Sequence, residues 1–150
     1  MENLKSKLYT HCMDFIQQRI ITAETALKQA QEASNDDTKS SAGDKFETTR
    51  EMMQQDIARN KGLLFDGKQN LQLLISLEHA PHSDVVRNGS LVLTSKGLFY
   101  ITISAGQVRI DDQVVFAISA VSPIGHLLIG KKAGDSFSFN SNEYILKEVI

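Results

Sequence analysis

Cysteine, proline and tryptophan are almost missing from this chain: 150 residues contain one cysteine, two prolines and no tryptophan. A lone thiol, Cys12, can neither close an internal disulfide nor supply the thiolate set of a structural zinc site. There is no excess of positive charge either. Sixteen Lys and Arg stand against eighteen Asp and Glu, a net charge of -2. That balance argues against a nucleic-acid binder working through a basic face, including sequence-specific DNA binding, and against an electrostatic membrane anchor. No apolar run approaches the roughly 20 residues needed to cross a bilayer. Met1 to Thr10 carries Glu2, Lys5 and Lys7 where a signal peptide would have an apolar core. These absences predict a cytoplasmic protein that does not enter membranes. With 41% hydrophobic and 23% charged residues, the composition is globular, and the length fits one ordinary domain or two small elements.

What is present changes character near Pro81. Both prolines (Pro81, Pro123) and six of the nine glycines fall beyond residue 80. The first part is proline-free and rich in Gln, Glu, Lys and Ala, a composition that permits long helices. The shift predicts a boundary between residues 1–78 and 79–150.

Hydrophobic spacing supports that division. Leu4, Leu8, Cys12, Phe15/Ile16, Ile20, Ala23, Leu27 and Ala30 recur at three and four residues, which is one face of a helix from about Leu4 to Ala33. A second stripe runs Phe46, Thr49/Arg50, Met53, Ile57, Asn60/Lys61, Leu64, Leu71 and Leu74/Ile75. Between them, Ser34 to Gly43 is rich in turn formers and empty of large apolar groups. Asp44 followed by Glu47 has the form of a capping box and marks the start of helix two. Helices of about 30 residues are roughly 45 Å long and must bury their stripes. The cheapest partner for each is the other, folded back as an antiparallel coiled coil, which predicts a monomer; pairing with a second copy is the alternative. Gly62 and Gly67 each weaken helix two by about 1 kcal/mol relative to Ala, so a break is expected there.

The second part reads as strands: Leu91 to Leu93, Leu98 to Ile103, Val114 to Ile118, Phe137 and Phe139 alternating with Ser136 and Ser138, and Tyr144 to Ile150. Ser122 to Gly130 reads as a short helix, with Ser122 as N-cap, Pro123 in the first turn and Gly130 at the C-terminal cap. Ile124, Leu127 and Leu128 would share its inner face. The expected class is α+β: a helical pair, then an antiparallel sheet with one short helix.

Local motifs sharpen this outline. Ser122-Pro123-Ile124, then Leu128-Ile129-Gly130-Lys131, then Gly134-Asp135 closely resemble the C-terminal pattern of the Gre family of bacterial transcript cleavage factors. Phe46 with Arg50-Glu51 resembles the aromatic and Arg-Glu that follow the tip of the family's helical hairpin, and the resemblance spans essentially the whole chain. It implies a C-terminal domain folded like FKBP that grips the rim of the RNA polymerase secondary channel, here through Ser122, Pro123, Ile124 and His126. It also implies a hairpin inserted in that channel, with acidic tip residues near 34–44 holding a shared Mg²⁺ at the polymerase active centre. Asp37 stands at the family's tip Asp, with Asp36 or Asp44 as the second carboxylate, and Mg²⁺ is a hard cation that prefers such oxygens. Lys39, Lys45 and Arg50 would contact the channel or the nascent RNA, whose 3′ end is cleaved. The chain would be an accessory factor with no catalytic residue or cofactor of its own.

Two positions depart from the family pattern. Ser40 stands where the tip has a Glu, and Val121 stands where Asn or Asp precedes Ser-Pro. A channel-occupying regulator that does not promote cleavage is therefore the nearest alternative. A coiled-coil structural adaptor is a second, and a prolyl isomerase, suggested only by the fold type, a third. Other candidate groups have simpler explanations. His79, His82 and Asp84 surround Pro81 without a fourth ligand and read as a solvated linker. Cys12 reads as a small core residue. No Ser-His-Asp order, P-loop, dinucleotide fingerprint or HExxH is present.

Overall fold

A computed structural model describes residues 2–37 and 43–150; the side chains of residues 36–47 lie outside the described set. Two long helices come first, α1 (Glu2–Asp37) and α2 (Gly43–Ser76). A sheet follows, made of β1 (Leu91–Thr94), β2 (Gly97–Thr102), β3 (Gly106–Ile110), β4 (Gln113–Ser119), β5 (Ser136–Phe139) and β6 (Asn142–Val149), with the short helix α3 (Pro123–Leu128) between β4 and β5. The class is α+β, as expected. The chain divides into two compact units, one made of Met1–Phe15 with Gln72–Ile150, the other of Ile16–Leu71.

In the second unit the stripes behave as their spacing predicts. Ile16, Ala23, Asn60 and Gly67 are buried, and Ile20, Leu27, Met53, Ile57, Leu64 and Leu71 are half-buried. A side-chain carbon placed on Gly67 would stand 3.0 Å from Ile20 Cγ1. Ile20 is near the start of this unit and Gly67 near its end, so the beginning of one helix lies beside the end of the other. Asn60 is the polar exception on the buried face. Its amide nitrogen donates to the Asp56 carbonyl oxygen at 2.9 Å, which satisfies a donor that would otherwise be costly to bury.

Two expectations fail in the helices. α2 is unbroken through Gly62 and Gly67. Tertiary contact outweighs propensity at Gly67, where the missing side chain lets the helices approach closely, and a cost of about 1 kcal/mol is small beside the packing of a long apolar face. α1 also runs four residues beyond Ala33 and takes Ser34, Asn35, Asp36 and Asp37 into the helix. Short polar residues lower helix propensity by tenths of a kcal/mol, which is not enough to end a helix already formed.

The first unit holds the sheet. Its strand order is β3-β4-β2-β1-β6-β5. All neighbours are antiparallel except β2 and β4, which run parallel from Leu98↔Val115 to Thr102↔Ser119. The sheet is mixed, not antiparallel as expected. The physical reason is β3, which the sequence reading passed over. It makes a hairpin with β4, so β4 returns beside β2 in β2's own direction. Asp111 and Asp112, at φ 47° and 66°, form the turn; both central residues of such two-residue hairpin turns need positive φ, which Asp tolerates better than most.

The two faces of the sheet bury different partners. Val92, Phe99, Ile101, Leu146 and Val149 form one core with Val86, Phe137 and Leu128 of α3, and Ile124 and Leu127 pack against it. This is the inner face expected for α3. Side chains alternate along a strand, so Leu98, Tyr100 and Thr102 lie on the opposite face, toward the first turns of α1. There Leu4, Leu8, Cys12 and Leu74 are buried. Lys5 Nζ donates to the Ile150 carbonyl oxygen at 3.1 Å, Lys7 pairs with Asp111, and Cys12 lies near enough to raise the Tyr100 pKa, after burial as the main cause.

The two mid-helix glycines of α2 respond oppositely to substitution. Gly62 has nothing within 4 Å of an added carbon, so Gly62→Ala raises unfolding stability by about 0.5–1 kcal/mol. At Gly67 the contact with Ile20 offsets that gain in Gly67→Ala, and Gly67→Ile destabilises by about 1–3 kcal/mol. Urea unfolding of the three variants checks this; equal stabilisation by Gly62→Ala and Gly67→Ala contradicts the close helix approach.

Candidate functional site

The turn from β4 into α3 is held by a set of local hydrogen bonds. Ser122 is the N-cap of α3: its hydroxyl accepts from the Gly125 N–H at 3.1 Å and donates to the Ser119 carbonyl oxygen at 2.6 Å. The Ser119 hydroxyl accepts from the Val121 N–H at 3.2 Å. Pro123 occupies the first helical turn, where its missing N–H costs nothing. Gly130 follows the C-cap residue Ile129 with φ 85°, a conformation glycine adopts freely.

This construction sorts the four residues expected at a polymerase rim. Ser122 is occupied with capping, and Ile124 packs on the core. Pro123 and His126 are exposed. Between Ser119 and Ser122, Val121 is 88% exposed, the most exposed large apolar residue described. The exposed surface of this turn is thus Val121, Pro123 and His126, with Ser122 and Ile124 beneath holding them in place.

The acidic candidates lie at the helix ends. The backbone places Asp36 and Asp37 in the last turn of α1 and Asp44 in the first turn of α2, not in a ten-residue loop. Their side chains, like those of Lys39 and Lys45, lie outside the described residues, and Arg50 is exposed on α2. α1 has no basic residue in its last turn, so Asp36 and Asp37 oppose the partial negative charge of the helix C-terminus without compensation from it. Asp44 sits where the helix dipole favours a carboxylate.

The remaining candidates keep the simpler assignments given to them. His82 Nε2 lies 2.8 Å from Asp84 Oδ1, His79 pairs with Glu78 at 4.0 Å, and all four side chains are more than half exposed. Among the described residues no group of three or more His, Cys, Asp or Glu could hold a metal ion, and no helix is long and apolar enough to cross a membrane. Cys12 is fully buried, and burial pushes its thiol pKa up to about 11, the reverse of an activated nucleophile.

Sequence reading missed a cleft lined by Ser6, Lys7, Thr10, Arg109, Ile110 and Asp111. The alternation of Gln107, Val108, Arg109 and Ile110 before Asp111-Asp112 was the available signal for the hairpin that forms one wall. Comparisons of the chain with family models, curated proteins and solved structures found no match.

Gly125 is the residue on which the exposed turn depends. A side-chain carbon there would overlap the Ser119 carbonyl oxygen, a backbone atom. Gly125→Ala is expected to lower unfolding stability by about 2 kcal/mol or more, against about 1 kcal/mol for loss of the cap in Ser122→Ala. Thermal unfolding of both variants checks the order; a harmless Gly125→Ala contradicts it.

Proposed function

We propose that this chain is a Gre-like accessory factor of RNA polymerase, entering the secondary channel with the joined ends of α1 and α2 and resting on the channel rim through the β4–α3 turn. One observation carries the reading. Asp36 and Asp37 stand at the C-terminal turn of a long helix, where two carboxylates weaken the helix by about 0.3–1 kcal/mol each. Folding alone does not favour them there, whereas a role toward a cation does. Asp44 lies only seven positions further on, within about 25 Å of chain, so all three carboxylates belong to one end of the helix pair.

The donor set suits the metal that the resemblance implies. Carboxylate oxygens are the ligands Mg²⁺ takes, and it holds them with part of its water shell retained. Mg²⁺ held there would polarise an attacking water. The chain's own part is to present oxygens at the end of paired helices, while Val121, Pro123 and His126 provide an exposed contact held by the Ser119–Ser122–Gly125 turn. Polymerase supplies the catalytic centre. The finer features, an FKBP-like sheet domain and coiled-coil packing of the helices, belong to the same proposal. They are supported by a sheet that packs α3 on one face and by the Ile20–Gly67 approach.

The alternative, a regulator that occupies the channel without promoting cleavage, draws on Ser40 in place of the family's tip Glu. Stalled, backtracked transcription complexes separate the two: a cleavage factor shortens the RNA from its 3′ end, and a regulator binds without shortening it. In Asp36→Asn, Asp37→Asn the account expects RNA shortening to fall at least tenfold and polymerase affinity to stay within about twofold, since a ligand lost from the reacting centre does not weaken the anchoring contact. Unfolding stability should rise by about 0.3–1 kcal/mol per charge removed. Equal loss of cleavage and affinity, or cleavage unaffected by the substitutions, would refute a metal role for these residues.

A further inference from the structure

We propose that the cleft between the start of α1 and the β3–β4 hairpin binds a phosphate group, either as the free anion or as the terminal group of a small ester. The cleft measures about 450 Å³, inside the roughly 300–1,000 Å³ range of small-molecule sites, and its lining residues all belong to the first unit. Ser6, Lys7 and Thr10 come from α1, where the i, i+3 and i, i+4 spacings of Lys7–Thr10 and Ser6–Thr10 place them on adjoining positions of one side. Arg109 and Asp111 come from the hairpin opposite.

Arg109 is the observation that points to an anion. It is exposed on β3 and, among the described residues, forms no side-chain hydrogen bond or ion pair. The nearby carboxylate, Asp111, pairs with Lys7 instead. An arginine with neither a carboxylate nor a carbonyl to hold, set in a cleft with two hydroxyls, has its planar fork free for two oxygens of one phosphate. The Ser6 hydroxyl makes no hydrogen bond among the described residues, and the Thr10 hydroxyl donates to the Ser6 carbonyl oxygen at 3.2 Å, a bond that rotation of the hydroxyl can exchange for a ligand oxygen. Lys7, Arg109 and Asp111 together carry one net positive charge, in a chain whose own net charge is -2. Asp111, neutralised by Lys7, is also an acceptor for a hydroxyl or amine on the remainder of an ester. The inference stands apart from the polymerase reading and uses none of its residues.

The test is a titration of isotope-labelled full chain, followed by the amide resonances of residues 6–10 and 109–112, with inorganic phosphate, adenosine monophosphate and adenosine as separate probes. Saturable shifts are expected with phosphate and with the nucleotide, and none with adenosine. Tighter binding of the nucleotide assigns the site to an ester, and equal binding assigns it to the free anion. Arg109→Gln should weaken binding about tenfold, the loss expected for a charge-assisted hydrogen-bonded contact, while Lys147→Gln, an exposed lysine of β6, leaves it unchanged. The proposal is overturned if neither anion gives saturable shifts, if adenosine alone shifts the same resonances, or if the two substitutions weaken binding equally.

Discussion

Burial of the first turns of α1 against the sheet is the constraint on which the first unit depends. Leu8 and Cys12 are fully buried and Leu4 nearly so, and each buried leucine contributes about 1.5–3 kcal/mol. The helix is also fixed at three separate points: Lys5 at the Ile150 carbonyl, Lys7 at the β3–β4 turn, and the fully buried Leu8 and Cys12. A contact at one point would leave the helix free to pivot. Three points across the sheet set its direction and close one wall of the cleft that holds Arg109. Burial of Lys5 holds its pKa below the usual lysine value, with Arg87 adding to the effect, so this anchor carries an electrostatic cost that the apolar contacts offset.

The opposite face of the sheet is organised by different means. Phe99, Phe116, Tyr144 and Phe137 form a chain of ring contacts, from a tilted pair at 5.6 Å to a stacked pair at 4.9 Å, and α3 covers part of it. Because α3 has only six residues, its position rests on caps and packing and not on its own helix propensity. The Ser122 hydroxyl, held between the Ser119 carbonyl and the Gly125 N–H, locks it, and that lock leaves Val121 in water. Back on the α1 face, Thr102 has a buried hydroxyl that finds no partner among the described residues.

Much of this was legible in the chain, and the failures have identifiable causes. The stripes Leu4–Ala30 and Phe46–Ile75 declared two helices because a 3.6-residue period is hard to produce by other means. Ser122-Pro123 and Gly130 declared the ends of α3 because capping is local chemistry. β3 was lost because Gly106 to Ile110 is short and half polar, as an edge strand can be, and with it went the parallel pairing of β2 and β4 and the cleft beside Arg109. Gly67 was misread as a weak point because propensity is visible in sequence and close approach is not. The ends of the helices near Asp36 and Asp44 were placed within a few residues. What those carboxylates do is a matter of partner, and no single chain encodes its partner in periodicity.

The central claim, that this fold serves RNA polymerase, is tested most directly by mixing the purified chain with core RNA polymerase and measuring association. The account predicts saturable binding of one chain per polymerase, weakened when Val121, Pro123 and His126 are replaced together by acidic residues. Absence of binding to the intact enzyme, or binding indifferent to that exposed turn, would contradict it.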